Sequence, residues 1–158
     1  MQGSFFWYDV MATDMGAAAQ FYCDVVGWGT QDGSSPAMRY TIFTVGGRGV
    51  AGLMPLPDEM AKSGGRSAWL GYIEVDDVDE MAARIQKEGG TLHKGPITVP
   101  EIIRFAVVSD PQGAVFLVAK PLMADGPPPP PMGTRGVIGW HELYAGEWQA
   151  AFAFYEKL

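Results

Sequence analysis

The residues best placed for chemistry are a tryptophan and a carboxylate that lie two positions apart near the start of the chain. Trp7 and Asp9 belong to the aromatic and apolar run 5–12, FFWYDVMA, which is typical of a strand. Side chains alternate between the two faces of a strand, so this pair is expected on one face. Asp9 is the candidate catalytic residue. It either serves a ligand as general base or hydrogen-bond acceptor, or forms an ion pair with an arginine such as Arg104.

The same pair of residue types recurs near the other end of the chain. The segment Trp140–Tyr155 aligns without a gap on Trp7–Tyr22 at a constant offset of 133, and Glu142 then matches Asp9. The six identical pairs are Trp7/Trp140, Ala12/Ala145, Ala17/Ala150, Ala18/Ala151, Phe21/Phe154 and Tyr22/Tyr155. The repeat predicts one complete unit, a proline-rich linker and the opening of a second unit.

The elements that position these residues follow one order twice. In each half a strand is followed by a helix that starts at an aspartate cap and stops at glycine, and further strands come after it. The first half has predicted strands at 5–12, 39–45 and 49–54 and a helix at 15–26, capped by Thr13 or Asp14. The second half has strands at 68–75, 91–93, 102–108 and 114–120 and a helix up to Glu88, capped by Asp76 or Asp77. This order predicts an α+β fold.

Composition excludes several classes of function. The chain has 158 residues with 47% hydrophobic content, enough for one domain and an extension. A formal charge of −7 without basic clusters argues against nucleic acid as a partner. No apolar run approaches the ~18 residues that span a bilayer, so no membrane is expected and the cytoplasm is the expected compartment. The single cysteine, Cys23, is interpreted as a packing residue.

Two sequence signatures support a family resemblance. The helix opening TDMGAAAQFYCDVVGW and the closing hairpin VVSDPQGAVFLVA, in two strand–helix–strand–strand–strand modules, resemble the vicinal oxygen chelate superfamily of glyoxalases, bleomycin resistance proteins and dioxygenases. Tandem-domain, glyoxalase-like members are the most similar. The resemblance implies two βαβββ modules that form a cup-shaped mixed sheet with helices on its convex side, followed by the βα start of a second domain. The implied divisions are a domain at 1–121, a linker at 122–135 and the truncated second domain at 136–158.

The resemblance also implies where metal ligands would lie. The four ligand positions fall on Trp7, Gly52, Leu70 and Leu117, and none of these side chains binds a divalent ion. A shift of two residues keeps the strand face and offers Asp9, Met54, Tyr72 and Ala119 or Val115. No metal site and no cofactor are therefore expected. A divalent metal ion is the alternative if a second domain or another chain supplies ligands, and His93 and His141 are not expected to bind one.

The predicted function is that of a glyoxalase/bleomycin resistance-like protein that binds a small organic molecule in an aromatic cup without a metal. The expected ligand-binding residues are Trp7, Asp9, Met54, Tyr72, Leu117 and Arg104. One alternative is a metal-dependent lyase or dioxygenase, and whether the protein is an enzyme at all stays open. The other alternative is an interaction module without a ligand.

The tail is expected to have strand character at 137–144 and helix character at 147–157. Alone, such a tail would leave a strand edge and the apolar side of Phe154 exposed. We therefore expect it to pair with a sheet edge of the first unit or, by exchange between chains, of a partner in a homodimer.

Overall fold

The computed structural model describes residues 3–123 and 133–158, and in them eight strands form one hydrogen-bonded sheet of mixed direction. The strand order is β2-β3-β4-β1-β5-β8-β7-β6. The strands are β1 (Phe5–Ala12), β2 (Gly29–Asp32), β3 (Thr41–Val45), β4 (Arg48–Pro55), β5 (Ala68–Glu74), β6 (Thr91–Val99), β7 (Ile103–Ser109) and β8 (Val115–Pro121). The helices are α1 (Met15–Val26), α2 (Asp58–Lys62), α3 (Val78–Lys87) and α4 (Trp148–Tyr155). The predicted α+β class is confirmed.

The chain divides into two units, and we call the one that holds residues 7–70 and 133–140 the N-terminal unit. In it β1 pairs in parallel with β4, while β3 lies antiparallel between β4 and β2. Its core contains Val10, Phe43 and Leu53, and α1 packs against this core with half-buried side chains that include Tyr22. Because Val10 faces the core, its neighbours Asp9 and Met11 point to the side of the sheet away from α1.

The C-terminal unit holds residues 3–6, 71–123 and 141–158. In this unit β5 pairs in parallel with β8, and β7 lies antiparallel between β8 and β6. Helix α3 buries Val78, Met81 and Ile85 against β7 and β8. The tight turn predicted at 110–113 is present, and the buried carboxylate of Asp110 holds it by accepting two backbone N–H bonds.

Both longer predicted helices begin at an aspartate, as the sequence indicated. Asp14 accepts a hydrogen bond from the backbone N–H of Ala17 at 3.0 Å, and Asp77 accepts one from Glu80 at 2.9 Å. These bonds satisfy N–H groups that have no partner inside the helix. Gly27 ends α1 in the left-handed conformation, with φ 78°, which glycine adopts without steric cost.

Two elements were not predicted because their local sequences carry little signal, and the strand predicted at 91–93 extends to Val99. Strand β2 was not predicted, since its four residues, GTQD, contain one β-branched side chain and begin two residues after the helix stop at Gly27. It forms because β3 offers it an edge, and Gly29 lies so close to Thr44 that a Cβ would come within 2.8 Å of the Thr44 hydroxyl. Helix α2 is one short turn within the connection at 55–65.

The tail corrects the prediction of a strand at 137–144. No residue between 133 and 158, a segment described throughout, lies in a strand. The helix is present as α4, and it docks in the C-terminal unit by its apolar side, with Phe154 only 4% exposed in the core that α3 forms. Burial of a helix face thus replaces the expected pairing with a sheet edge. The five prolines of the predicted linker lie outside the described residues, and no described helix is long and apolar enough to cross a membrane.

Candidate functional site

The candidate site lies on the side of the N-terminal unit that faces away from α1. The register pairs Asp9 with Gly52 and Met11 with Met54, while Ile42 of β3 also lies opposite Gly52. These side chains therefore share one face with Trp7. We call it the Asp9 face: Trp7, Asp9, Met11, Ile42, Gly52 and Met54, together with the ring of Tyr40, which reaches it from the residue before β3.

Three polar side chains on this face are joined by hydrogen bonds. The Tyr40 hydroxyl donates to Asp9 Oδ1 at 2.5 Å. The indole N–H of Trp7 lies 3.1 Å from the same carboxylate oxygen and 2.9 Å from the Tyr40 oxygen, and it donates to both. Asp9 is only 4% exposed, and a buried carboxylate is costly unless donors surround it. The Trp7 and Tyr40 donors therefore help to stabilise the buried carboxylate.

Two glycines let the aromatic rings lie close to the sheet. A Cβ at Gly52 would overlap both the Tyr40 hydroxyl and Asp9 Oδ1. A Cβ at Gly49 would lie 3.3 Å from the Trp7 ring. Any side chain at Gly52 would therefore displace the phenol from the carboxylate, and glycine there is a requirement of the hydrogen-bonded group.

The electrostatics of the group keep the phenol protonated. Burial raises the pKa of Tyr40 far above its ordinary value, and the charge of Asp9 and the hydrogen bond to it raise the pKa further. The bond from Trp7 acts in the opposite direction but is the smallest of these effects. At neutral pH Tyr40 is therefore a hydrogen-bond donor to Asp9.

The donor set of this face does not fit a divalent metal ion. Of the expected ligand positions in this unit, Trp7 and Leu70 have no donor atom for a metal, and the phenol of Tyr40 covers the place where a side chain at Gly52 would project. Asp9 supplies one carboxylate. Among residues 3–123 and 133–158 there is no group of three or more histidine, cysteine or acidic side chains that could hold a metal.

Two expected binding residues, Tyr72 and Leu117, lie in the C-terminal unit as direct register partners on β5 and β8. Their neighbours Ile73 and Val118 pack in the core beneath α3, so this pair points to the other side of the sheet. Leu117 is 2% exposed, which makes it a packing residue in this structure, whereas Tyr72 is half-buried. Their role in binding stays a prediction.

Arg104 has a different acidic partner from the one that the sequence suggested, and its role in ligand binding stays a prediction. Its guanidinium donates to both carboxylate oxygens of Asp79, at 2.8 and 2.7 Å, and to the Thr98 hydroxyl at 2.6 Å. Asp79 belongs to α3, so Arg104 points to the α3 side of its unit, away from Tyr72 and Leu117. The ion pair proposed between Arg104 and Asp9 is wrong, because Asp79 holds the arginine.

The two histidines occupy separate settings in the C-terminal unit. His93 is exposed, and its Nε2 lies 2.8 Å from the Ser109 hydroxyl. His141 stacks on Phe5 with ring centroids 4.0 Å apart, and partial burial lowers the pKa of its imidazole. Neither histidine belongs to a metal-binding group among the described residues.

Tyr40 is the member of the candidate site that the sequence did not indicate. It lies 31 positions from Asp9 and just before a strand, where periodicity gives no face assignment. The available signal was Gly52. A glycine leaves space above the strand, and this one lies on the face where the resemblance places metal ligands. Only the register of β1, β3 and β4 shows that the phenol fills this gap.

Comparison with known proteins gives the family. Residues 4–118 match the sequence profile of the Glyoxalase/Bleomycin resistance protein/Dioxygenase superfamily. The chain belongs to this superfamily. It is 31% identical to "Putative glyoxylase CFP32" of Mycobacterium tuberculosis over 99% of its own length, and 31% identical to anthracycline biosynthesis protein DnrV of Streptomyces peucetius over 94%. It spans 60% of the first relative and 58% of the second.

Solved structures agree on the fold. Methylmalonyl-CoA epimerase from Mycobacterium tuberculosis superposes with a TM-score of 0.54 at 20% identity, covering 75% of this chain and 87% of the epimerase. A methylmalonyl-CoA epimerase in complex with methylmalonyl-CoA superposes with a TM-score of 0.57 at 16% identity, covering 80% of this chain and all of that one. At these identities the similarity concerns the fold alone.

Proposed function

We propose that this protein binds a small organic molecule on the Asp9 face and does so without a metal ion. The observation that carries the proposal is the arrangement of two aromatic rings, Trp7 and Tyr40. They lie close to Gly49 and Gly52, and both donate hydrogen bonds to the buried carboxylate of Asp9. Binding sites for small molecules are mostly apolar and aromatic with a few fixed polar groups, and this face has that composition.

The shape of the site is part of the proposal. Two βαβββ modules would form a cup-shaped sheet with the helices on its convex side, and the concave side would add Tyr72 and Met54 to the ligand surface. Residues 136–158 would be the opening strand and helix of a second domain in the family's arrangement, although the segment adopts only the helix here. Two relatives are named for anthracycline biosynthesis, which favours a planar aromatic molecule as the first ligand to test.

Binding is tested by isothermal titration calorimetry with 2-naphthol, a planar molecule with one hydroxyl. Saturable binding is expected in the unchanged protein, and Trp7→Ala should weaken it at least about ten-fold, because removing a central aromatic contact typically costs 1–3 kcal/mol or more. The matched control is Trp148→Ala, since Trp148 is 65% exposed on α4. Equal losses in both variants, or no saturable binding by any planar probe, would reject the proposal.

The metal-free part of the proposal has a separate measurement. Elemental analysis of protein purified without chelators should find no stoichiometric transition ion, since the side chains at the expected ligand positions cannot coordinate one. A bound ion at one per chain would favour the second candidate function, a metal-dependent lyase or dioxygenase. An interaction module without a ligand would be supported if neither metal nor planar molecules bind.

A further inference from the structure

The outer side of α1 carries an exposed stripe of apolar side chains. Phe21 is 56% exposed, and Val25, one turn further along the helix, is 66% exposed. Ala17, one turn before Phe21, is exposed as well. Residues four apart on a helix are neighbours on its surface, so we call these three residues the Phe21 stripe. Exposed apolar side chains that adjoin one another, unlike scattered ones, mark a surface for interaction.

The internal repeat shows what covers the corresponding stripe of the second copy. At the offset of 133, the Phe21 stripe corresponds to Ala150, Phe154 and Leu158. Phe154 is only 4% exposed, and together with the half-buried Leu158 it packs on the core that α3 forms with β7 and β8. The C-terminal unit therefore accepts an aromatic ring at this position of the repeated helix.

Polar contacts fix α4 on this surface and specify the charge of its partner. The side-chain amide of Gln112 donates to the backbone carbonyl of Glu147 at 2.9 Å and accepts from its N–H at 3.0 Å. At the other end, the Lys157 ammonium lies 2.9 Å from the Glu88 carboxylate. Asp24 corresponds to Lys157 at the same offset. Docked in the same way on a second copy of this chain, α1 would bring Asp24 close to an acid, and like charges disfavour that contact.

From these observations we infer that the Phe21 stripe is a docking surface for the C-terminal half of a second glyoxalase-like unit. That half would be of the kind that residues 71–121 form, with a basic or neutral side chain opposite Asp24. In an assembly of two like units related by a twofold axis, each contact is made twice. The docking of α4 on the C-terminal unit supplies one of the two contacts, and the docking of α1 on the second unit would supply the other. The inference involves no ligand and does not depend on the proposed function.

The test uses full-length variants of this chain as the source of such a half. In Glu88→Lys with Phe154→Ala, which we call the opened chain, α4 loses a buried ring and Lys157 meets a like charge. Asp24 of another copy would now meet an opposite charge. Sedimentation velocity at pH 7 should therefore show self-association of the opened chain. Phe21→Ala, added to it, should weaken the association at least about ten-fold, because buried aromatic rings are main contributors to interface affinity.

The matched control is Phe152→Ala in the opened chain, since Phe152 is 66% exposed on α4, and it should leave the association unchanged. Phe154→Ala with Glu88 retained should associate at least about three-fold more weakly than the opened chain. If the double variant does not fold, Glu88→Lys alone, which keeps the Phe154 ring, is measured in its place. Equal weakening by Phe21→Ala and Phe152→Ala, or no association of the folded variant, would overturn the inference.

Discussion

The two copies of the internal repeat have similar sequences but different environments. In the first copy Trp7 lies in β1 and donates hydrogen bonds within the Asp9 face. In the second copy Trp140 is 77% exposed and lies outside any strand. The contrast is reversed for the phenylalanine that both copies share, since Phe21 is 56% exposed on α1 and Phe154 only 4% exposed on α4.

The two helices bury overlapping but not identical sides, because different surfaces are available to them: Tyr22 and Tyr155 both pack against a core, whereas other equivalent positions differ. Helix α1 lies next to its own strands and packs on them with Met15, Ala18 and Ala19. The residues that correspond to Met15 and Ala19 in α4 are Trp148 and Phe152, which are 65% and 66% exposed. Helix α4 instead packs on a completed unit with Phe154, and Leu158, which follows the helix, packs against the same core. The repeat therefore specifies a helix with two apolar sides, and the neighbouring surface determines which side is buried.

The sharpest way to test this contrast is to truncate the shared phenylalanine in each copy. Phe154→Ala should lower the free energy of unfolding by about 3 kcal/mol, since it removes a buried ring and leaves a cavity. Phe21→Ala should change it by less than about 0.5 kcal/mol, because the ring is largely exposed. Urea denaturation followed by circular dichroism measures both. Equal losses would contradict the different burial of the two copies.

A second prediction concerns the Asp9 face, which only the first copy builds. Gly52→Ala should destabilise the protein by about 1–3 kcal/mol, because the added methyl group overlaps the Tyr40 hydroxyl and Asp9 Oδ1. Gly139→Ala is the control, since a Cβ at this glycine, which directly precedes the second copy, has no atom within 4 Å. Thermal unfolding distinguishes the two variants. A neutral Gly52→Ala variant would show that the phenol moves away at little cost.

The shared tyrosine offers a third comparison. The Tyr155 hydroxyl donates to the buried carboxylate of Asp110 at 3.1 Å, while the Tyr22 hydroxyl accepts from the exposed Trp69 indole at 2.7 Å. Tyr155→Phe should lower the free energy of unfolding by about 1.5 kcal/mol, and Tyr22→Phe should lower it by less than about 1 kcal/mol. A hydrogen bond to a charged, buried acceptor contributes more to stability than one between neutral groups. Urea midpoints at pH 7 measure both losses.

The pair of Tyr155 and Asp110 also gives the free energy of unfolding a pH dependence, and its direction follows from the pKa of Tyr155. Burial, followed by the charge of Asp110 and the bond to it, raises the pKa of Tyr155 above the unfolded value of about 10. Its stabilising effect is therefore complete below pH ~10 and decreases as the pH rises through the higher folded pKa. In Tyr155→Phe this part of the alkaline loss of stability should be absent.

The smallest expected effect concerns the pKa of Glu88, the C-cap residue of α3. The ammonium of Lys157, two residues after the second copy, lies 2.9 Å from the Glu88 carboxylate. The Lys157 ammonium lowers the pKa of Glu88 through its hydrogen bond and its charge. The stabilisation is present above the unfolded glutamate pKa of about 4.3 and decreases as the pH falls through the lower folded pKa.

This prediction is measured by NMR titration of the Glu88 carboxylate. Lys157→Ala should raise the Glu88 pKa toward its ordinary value, whereas Lys62→Ala, which removes an exposed lysine paired with Glu59, should leave it unchanged. An unchanged Glu88 pKa in Lys157→Ala would show that the ion pair does not form in solution.

Much of the fold could be predicted because its signals are local. The aspartate caps, the glycine stops and the turn at 110–113 act within a few residues, so the sequence indicated α1, α3 and the closing hairpin. The strand predicted at 137–144 is absent because strand formation depends on non-local contacts. A strand needs a partner edge, and apolar residues such as Val137 and Leu143 supply none.

For the candidate site, the sequence by itself determined that Trp7 and Asp9 lie on one face, because alternation along a strand fixes that relation. It also determined that Trp7, Gly52, Leu70 and Leu117, the ligand positions that the resemblance implies, carry no imidazole or carboxylate. Tertiary structure alone decided that Tyr40 reaches Asp9 over Gly52 and that Arg104 is held by Asp79. Both contacts join residues far apart in the chain, and their geometry depends on strand register and helix packing, which no local pattern encodes.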